Sequence, residues 1–562
     1  MEMQGSTPAN LSTIMLPGDW ESLFQRDGWS ALEPALPDYM RARRWFGGKA
    51  RQITSTRVQA AIPLRYGGAT AYLALVRVAY AEGGAETYVL PLTFADAARA
   101  AALLRDLPHA VVARVAPAAG DRGALFDPLY DPAFCAVLLD LIATQAQIPS
   151  PDGDLIASTT QAFERLRNPD AGKGGPSDAP LAPTISTAEQ SNTSIIFGQR
   201  LIMKLFRRLE SGLNPDLEIG RFLTERSNFA NIPPLAGAIE YRRDEVPMSL
   251  ALLQGFVPNQ GDSWYYTLEM IADAFKRVLA APDEFRDSAA PSQPLLNMVE
   301  QPPPAVAHAF IGDYLVSAEL LGRRTAELHL ALATGTDDLD FAPEPCTAEY
   351  QQSVHASMEA RARQSFQLLR RSIAGLPAAL HDDARQVLNL EQPIFERLRA
   401  ALAQPISALR IRIHGDYHLG QVLWTGDDFF IIDFEGEPAR PLSERRLKSL
   451  ALQDVAGMLR SFHNATYAVL LGQAPGAAFG DEQFATLEPW ARHWHRWVGA
   501  AFLRSYLATT GAAVFLPQSR AELQTLLDAY LLDKAVYELR YELNNRPTWA
   551  RIPIEGILQL MQ

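Results

Sequence analysis

The stretch IHGDYHLGQVLWTGDDFFIIDFEGEP, residues 413–438, carries the densest β pattern in an otherwise helical half of the chain. It spaces three oxygen-bearing side chains in an unusual way. Asp416 is followed five residues on by Gln421, and a hydrophobic hairpin then delivers Asp433 at the end of FFII. Either acid alone reads equally well as a cap at a hairpin end. An acid, an amide and a second acid separated by one hairpin read better as a set whose mutual distances the hairpin fixes.

Phosphoryl transfer needs such a set. A nucleotide must be held in line, a metal must spread the charge, and an acceptor must take the hydroxyl proton. Kinase-like folds use a loop Asp, an Asn about five residues later, and a metal-binding Asp after a short hairpin. In this order Asp416 is the expected acceptor for the proton of a sugar hydroxyl, with His414 bracing its loop. Gln421 and Asp433 are the expected oxygen donors to Mg²⁺, a hard cation suited to carboxylates and carbonyls. Gln in place of Asn reaches about one methylene further.

The bulk numbers are compatible with such an enzyme. The 562 residues exceed one ordinary core, so two to four structural units are expected. Hydrophobic content of 48% with 20% charged residues is that of a water-soluble globular chain. A net charge of −13 argues against nucleic acid or an anionic membrane as partner, but not against a small nucleotide, which responds to a local field. The two cysteines, Cys135 and Cys346, lie far apart in helix-like settings without metal-ligand spacing and read as buried thiols in a reducing compartment. No apolar run reaches membrane-spanning length, and MEMQGSTPANLSTIMLPGDW lacks a basic leader followed by an apolar core, so a cytoplasmic location is expected.

Along the chain, TSTRVQAAIPL, TAYLALVRVAY and AETYVLPLTF alternate at period two, with Gly67-Gly68 and Gly83-Gly84 between them, and predict an antiparallel sheet. RARRWFGGKAR ahead of it points to a tight docking corner at Trp45-Phe46, and PAFCAVLLDLIATQAQ behind it to a helix. NPDAGKGGPSDAPLAPT, residues 168–184, reads as a joint. Strands return at NTSIIFG, RLIMKLF and MSLALLQGFV. After an irregular Pro-rich patch between Ser292 and Val306, the pattern turns helical. LLGRRTAELHLAL puts Leu321, Thr325, Leu328 and Leu332 on one face, and further helices are predicted around 348–371, 381–403, 486–509 and 520–545.

A nucleotide lobe should hold a lysine on a strand with an acidic helix partner. Lys204 sits in the alternating RLIMKLF, and Glu218 opens a helix fourteen residues later. An inward lysine is costly unless paired, so Glu218 is expected to fix Lys204 against the nucleotide's α/β-phosphates; a snorkelling surface lysine is the alternative. Ser191, Asn192, Thr193 and Ser194 lie where a phosphate-covering loop belongs, without its glycines. Gln254, Phe256 and Val257 occupy the position of an adenine hinge, although apolar core strand is the commoner meaning of such a string.

RIHGDYHLGQVLWTGDDFFIIDFEGEPARPLSERRLKSLALQDVAGMLRSFHNA together with EQSNTSIIFGQRLIMKLFRRLESGLNPDLEIGRFL closely resembles the bacterial maltokinases, of the aminoglycoside-phosphotransferase branch of the kinase-like fold. PDYMRARRWFGGKAR looks like the start of that family's N-terminal cap and KAVYELRYELNNRPTWARIP like its C-terminal end. Residues 290–350 resemble the longer version found fused to trehalose synthase. The resemblance implies an α+β architecture: a bilobal protein-kinase-like fold with an N-terminal α+β cap over residues 1–165, an ATP-binding lobe over 185–260, and a mostly helical lobe over 261–562 holding the catalytic hairpin 411–438. It implies ATP-dependent phosphorylation of maltose at its anomeric hydroxyl to maltose 1-phosphate for α-glucan building, with ATP and Mg²⁺ as cofactors. Trehalose synthase or a maltosyltransferase would be its metabolic neighbours.

For the sugar, Tyr417 and His418 flank the proposed base, and Glu435 and Glu437 follow the metal Asp. Salt bridging to Arg440, Arg445 or Arg446 is an equal reading for Glu437. In the last long helix the apolar face Leu523, Leu527, Leu531 continues as Lys534, Glu538, Tyr541 and Asn545, as if the helix left the core for a wet cleft. Trp490, Trp494 and Trp497, interleaved with His493 and His495, read as core; His463 and Asn464 read as structural; Asp454 reads as a brace for the catalytic loop. Two alternatives stand beside a maltose kinase. A glucosamine kinase shares a similar cap and DFEGEP-like motif, and its ammonium substrate would want carboxylates such as Glu435, Glu437 or Glu538. A pseudokinase or regulatory scaffold would ordinarily have lost one of Lys204, Asp416, Gln421 and Asp433, and all four are present.

Overall fold

A computed structural model describes residues 11–16, 18–117, 122–169, 181–186, 191–281, 291, 293–335, 337–472, 479 and 481–562. Residues 1–10, most of the Gly/Pro-rich joint, Glu189 and Ser292 fall outside the described residues. The chain divides into two compact units, one comprising residues up to Glu225 plus Pro233–Pro258, the other Arg226–Ile232 plus Asn259–Gln562.

The first unit is built on two sheets. One has the order β1 (Thr13–Leu16), β5 (Val111–Pro117), β6 (Gly123–Phe126), β4 (Ala85–Ala95), β3 (Ala69–Tyr80), β2 (Ile53–Tyr66), with β12 (Arg208–Leu209) also paired to β4. The β2–β3–β4 meander is the one the period-two pattern predicts, and the Gly67-Gly68 and Gly83-Gly84 turns take the positive φ that glycine permits. The RWFGG corner is tight: Phe46 is buried, and a Cβ on Gly48 would meet the Tyr80 hydroxyl at 2.3 Å.

The second sheet has the order β7 (Gln147–Ile148), β8 (Asp154–Thr159), β13 (Leu235–Arg243), β14 (Val246–Gly255), β11 (Leu201–Leu205), β10 (Thr193–Phe197), β9 (Pro183–Ile185). Here the hydrogen bonding differs from the boundary expected at residue 165. The pair β7–β8 precedes that boundary yet belongs to the sheet carrying Lys204, and β12, beyond the boundary, pairs with β4. Period-two alternation marks a strand but not its partner, because pairing is chosen by edge complementarity in three dimensions.

The second unit is mainly helical. Helices Ala348–Ser372, Asp481–Thr510 and Arg520–Asn545 lie where the periodicity predicts, and Leu321, Thr325, Leu328 and Leu332 are buried on the Tyr314–Leu332 helix. The segment predicted as one helix over 381–403 is two, His381–Asn389 and Glu391–Ala401. Pro393 lacks the N–H that would bond back to Asn389, so it starts a new helix. Cys135 is buried in the Pro132–Ala143 helix, where burial pushes its thiol up to about 12. Cys346 is only partly buried and precedes a helix instead of lying in one, with burial pushing it up to about 11. Among the described residues no helix is long and apolar enough to cross a membrane.

The tryptophan cluster is core: Trp490 and Trp494 are fully buried and Trp497 nearly so. Beside it the rings of His463 and His495 meet at 5.0 Å. Burial, reinforced by neighbouring Arg460 and other cations, holds both imidazoles well below the usual histidine range, so both are neutral in the folded chain. The unfolded chain binds protons on these groups below about pH 6.5 while the folded one does not, so stability falls as pH drops through that value. The slope is expected to reach about 1.4 kcal/mol per pH unit for each histidine. Denaturant unfolding between pH 7 and 5.5 checks this, and a His495→Gln variant should show a shallower fall.

Candidate active site

The hairpin delivers what its sequence promises. β15 (Val422–Trp424) and β16 (Phe429–Ile431) pair antiparallel, and one further rung, Ile432 N to Gln421 O at 3.0 Å, sets residue 421 opposite the end of the second strand. Beyond that rung Gln421 Nε2 donates to Asp433 Oδ2 at 2.9 Å. Asp433 holds φ +68°, a left-handed turn that an acid tolerates better than most residues and that occurs at functional positions. The Asp433 and Glu435 carboxylates lie with oxygens within 4.8 Å of one another. The hairpin tip is clamped from the Tyr314–Leu332 helix, where Arg324 donates through Nε and Nη2 to the two oxygens of Asp428 at 2.8 and 2.6 Å.

Asp416 is positioned by a buried scaffold. Asp454 accepts from the backbone N–H of His414 at 2.8 Å and of Gly415 at 2.9 Å, and its Oδ2 also lies 3.1 Å from His329 Nε2. Burial opposes its charge, but these donors together with the His329 and His414 imidazoles hold its carboxyl below the usual range. Gly415, at φ +84°, makes the turn that presents Asp416. His414 is buried, its Nε2 bonded to Ile432 O at 2.9 Å, so it ties the Asp416 loop to the end of the hairpin's second strand.

Asp416 opens into a cavity of about 360 Å³ lined, among others, by Tyr350, Arg361, Glu437, Asp533, Lys534 and Tyr537. Lys534 Nζ stands 3.5 Å from Asp416 Oδ1. Burial works against its charge, yet Asp416, Glu538 and Glu437 hold its ammonium above the usual lysine range. Arg361 pairs with Asp533 through Nε and Nη2 at 3.3 and 2.7 Å, and Arg440 Nε with Glu437 Oε2 at 2.8 Å. Glu437 is thus the salt-bridged residue of its two readings. His418 Nδ1 accepts from Gly420 N and its Nε2 lies 3.9 Å from Asp416; burial, offset by Asp416, lowers its pKa, so a neutral ring borders Asp416.

Of the residues expected at the sugar, Tyr417 borders the cavity, whereas Glu538 and Tyr541 do not line it. Tyr417 is buried with its hydroxyl 2.9 Å from Thr325 Oγ1, so it supports the loop from the core side. Glu538 accepts from Arg460 Nη2 at 2.6 Å and Nε at 3.1 Å, and does not line the cavity. Tyr541 is 47% exposed beneath the guanidinium of Arg546, also off the cavity. The helix turns a different stripe inward: Tyr530, Asp533, Lys534 and Tyr537. These follow i, i+3, i+4, i+7 spacing, visible in the sequence, but the apolar residues Leu523, Leu527 and Leu531 draw attention to a face one residue out of phase.

In the first unit Lys204 lies on β11, opposite Ser194 of β10 and Leu252 of β14. Its Nζ is 3.3 Å from Asp216 Oδ2, with both side chains nearly buried. Asp216 and Glu218 are both buried in the first turn of the Pro215–Arg226 helix, whose start is set by Pro215 and by Asn214 Oδ1 accepting from Asp216 N at 2.8 Å. Asp216 is a partner the sequence does not single out; the signal was an acid directly after an Asn-Pro helix start. Ser191 is exposed and Asn192 half-buried. Thr193 Oγ1 accepts from Arg207 Nε at 2.9 Å, a partner the sequence does not single out. Gln254 pairs with Ile202 in the ladder, and Phe256 N is bonded to Arg200 O at 2.8 Å, which removes that amide from the adenine contacts expected of a hinge; Val257 follows it.

A loop acid before a hairpin that holds an amide against a second acid, with a paired lysine on a sheet strand, defines a phosphotransferase of the kinase type. Residues 315–497 match the phosphotransferase enzyme family and residues 39–131 the maltokinase N-terminal cap domain. The chain is a sugar kinase carrying the maltokinase type of cap. It is 23% identical over 383 residues to a glucosamine kinase of Streptacidiphilus jiangxiensis, covering 66% of this chain and 72% of that protein. A glucosamine kinase of Mycolicibacterium smegmatis (strain ATCC 700084 / mc(2)155) is 26% identical over 383 residues, with 67% and 78% covered. In fold it is similar to a glucosamine kinase solved with glucosamine, ADP and inorganic phosphate, at TM-score 0.58 and 19% identity over 97% of this chain and 100% of that one.

Replacing Tyr537 by Phe is expected to raise the acceptor KM about five- to tenfold, the loss of one buried hydrogen bond, with little change in stability. Tyr541→Phe should leave it unchanged. Steady-state kinetics on the two variants separates the observed face of the helix from the one the apolar stripe indicates.

Proposed function

We propose that the chain transfers the γ-phosphoryl group of ATP to the anomeric hydroxyl of maltose, forming maltose 1-phosphate. The observation that carries this reading is the hairpin closure that holds Gln421 against Asp433 at 2.9 Å on the same braced loop system as Asp416. Asp416 takes the hydroxyl proton as the sugar oxygen attacks phosphorus, and Lys534 beside it steadies the carboxylate in its ionised form. Lys204, held by Asp216, meets the nucleotide's phosphates.

The donor set fits Mg²⁺, which favours oxygen ligands: the Asp433 and Glu435 carboxylates are close together, and the Gln421 amide presents its oxygen once it turns over about its terminal bond. Held by these residues, the ion would supply positive charge against the negative charge that develops during phosphoryl transfer. Glu435 is assigned to this ion in preference to the sugar.

A neutral acceptor is supported by the charge balance of the cavity. Asp416, Glu437 and Asp533 each face a cation, Lys534, Arg440 and Arg361, leaving paired groups that suit sugar hydroxyls and give an ammonium no uncommitted interior acid among them. The second reading, phosphorylation of glucosamine, is favoured by the activity named for the relatives.

Side-by-side phosphorylation of maltose and glucosamine with Mg-ATP decides between them; turnover of glucosamine alone overturns the maltose assignment. Asp416→Asn should lower kcat at least about a hundredfold, the usual range for loss of a general base, with the nucleotide KM nearly unchanged. Asp433→Asn should raise the Mg²⁺ requirement or abolish turnover while the melting temperature stays near wild type. Full activity in either variant removes that residue from the mechanism.

A further inference from the structure

The chain passes straight from the strand bearing Lys204 into the cap sheet. β11 ends at Leu205, Phe206 N still bonds Leu250 O in the nucleotide-lobe sheet, and Val89 N of β4 then bonds Arg207 O at 2.9 Å. Arg207 at this crossing joins both sheets through its guanidinium. Its Nη2 donates to Asp127 Oδ2 at 2.8 Å, with each side chain only 2% exposed, and its Nε donates to Thr193 Oγ1 at 2.9 Å at the start of β10. The group also lies over the Trp45 ring at 5.0 Å.

Asp127 is itself held on the cap side. Its Oδ1 accepts from Leu129 N at 3.0 Å, its Oδ2 from the Tyr39 hydroxyl at 3.4 Å, and its own N–H bonds Ala110 O. Thr193 stands opposite Leu205 in the ladder and Ser194 opposite Lys204, so the arginine closes the β10–β11 pair one rung from the lysine. A buried ion pair adds little net stability over well-packed apolar residues, whereas its fork geometry constrains the groups it joins.

We propose that Asp127 and Arg207 are positioning residues through which the cap sets the β10–β11 pair, and with it the Lys204 ammonium, for the nucleotide. Neither touches the substrate. The inference rests on Lys204 being the phosphate partner. It gives the cap a task in the reaction, namely holding β10 and β11 in register with the sheet beside them.

The test is calorimetric titration of the full chain with Mg-ADP, alongside thermal melting and maltose kinetics. Asp127→Asn keeps the volume and removes the charge; Thr193→Val keeps the shape and removes the acceptor. Each is expected to raise the ADP Kd about fivefold, the effect of one lost hydrogen bond, with the maltose KM within about twofold of wild type. Thr193→Ser should restore binding, and the double variant should be weaker than wild type by less than the product of the single effects, because both act through Arg207. Folded Asp127→Asn and Thr193→Val chains that bind ADP like wild type overturn the proposal; if Asp127→Asn does not fold, Thr193→Val and its serine rescue decide alone. Failure of the nucleotide reading is distinct, since wild type itself would then bind no ADP.

Discussion

One buried carboxylate, Asp454, organises the second unit. It accepts the backbone N–H groups of two consecutive residues, His414 and Gly415, and so fixes the peptide that presents Asp416. A buried acid pays for its desolvation only when its lone pairs are filled, and the contact from His329 completes that set. From this anchor the arrangement spreads outward. Gly415 turns with positive φ, His414 reaches across to Ile432 O, and the hairpin closes so that Gln421 and Asp433 meet. Precision at the site is thus inherited from backbone hydrogen bonds in the core.

The first unit solves a similar problem with an ion pair. A lysine on a strand would be expensive to bury alone, and Asp216 in the first turn of the following helix meets it. Around it, hydrogen bonds tie the cap sheet and the sheet bearing Lys204 into one unit: β7 and β8 extend the Lys204 sheet, β12 extends the cap sheet, and Arg207 stands at the crossover. A cap attached this way is continuous with the strand that carries Lys204.

The cavity beside Asp416 owes its character to pairing. Its interior carries carboxylates and cations in contact, so it is polar without a strong field of one sign. Such a surface recognises hydroxyl groups by hydrogen bonds and rewards neutral ligands, whereas a polycation or free amine is better served by unpaired acids.

Much was legible before any coordinates. Alternation and periodicity are local properties, so the cap meander, the hairpin and most long helices follow from side-chain order, and the Asp416–Gln421–Asp433 spacing follows from the short ladder between them. What tertiary structure alone decided is which of several similar groups meet. Asp216 joins Glu218 as an acid of that helix turn and supplies a lysine contact the sequence left unnamed; Tyr537 lines the cavity while Tyr541 faces solvent; Thr193 is held by Arg207, just past the end of β11. Neighbours one to four residues apart on a helix share composition and pattern, and a rotation of the helix by one residue exchanges them. That rotation is set by packing against the rest of the core, which no local window of sequence contains.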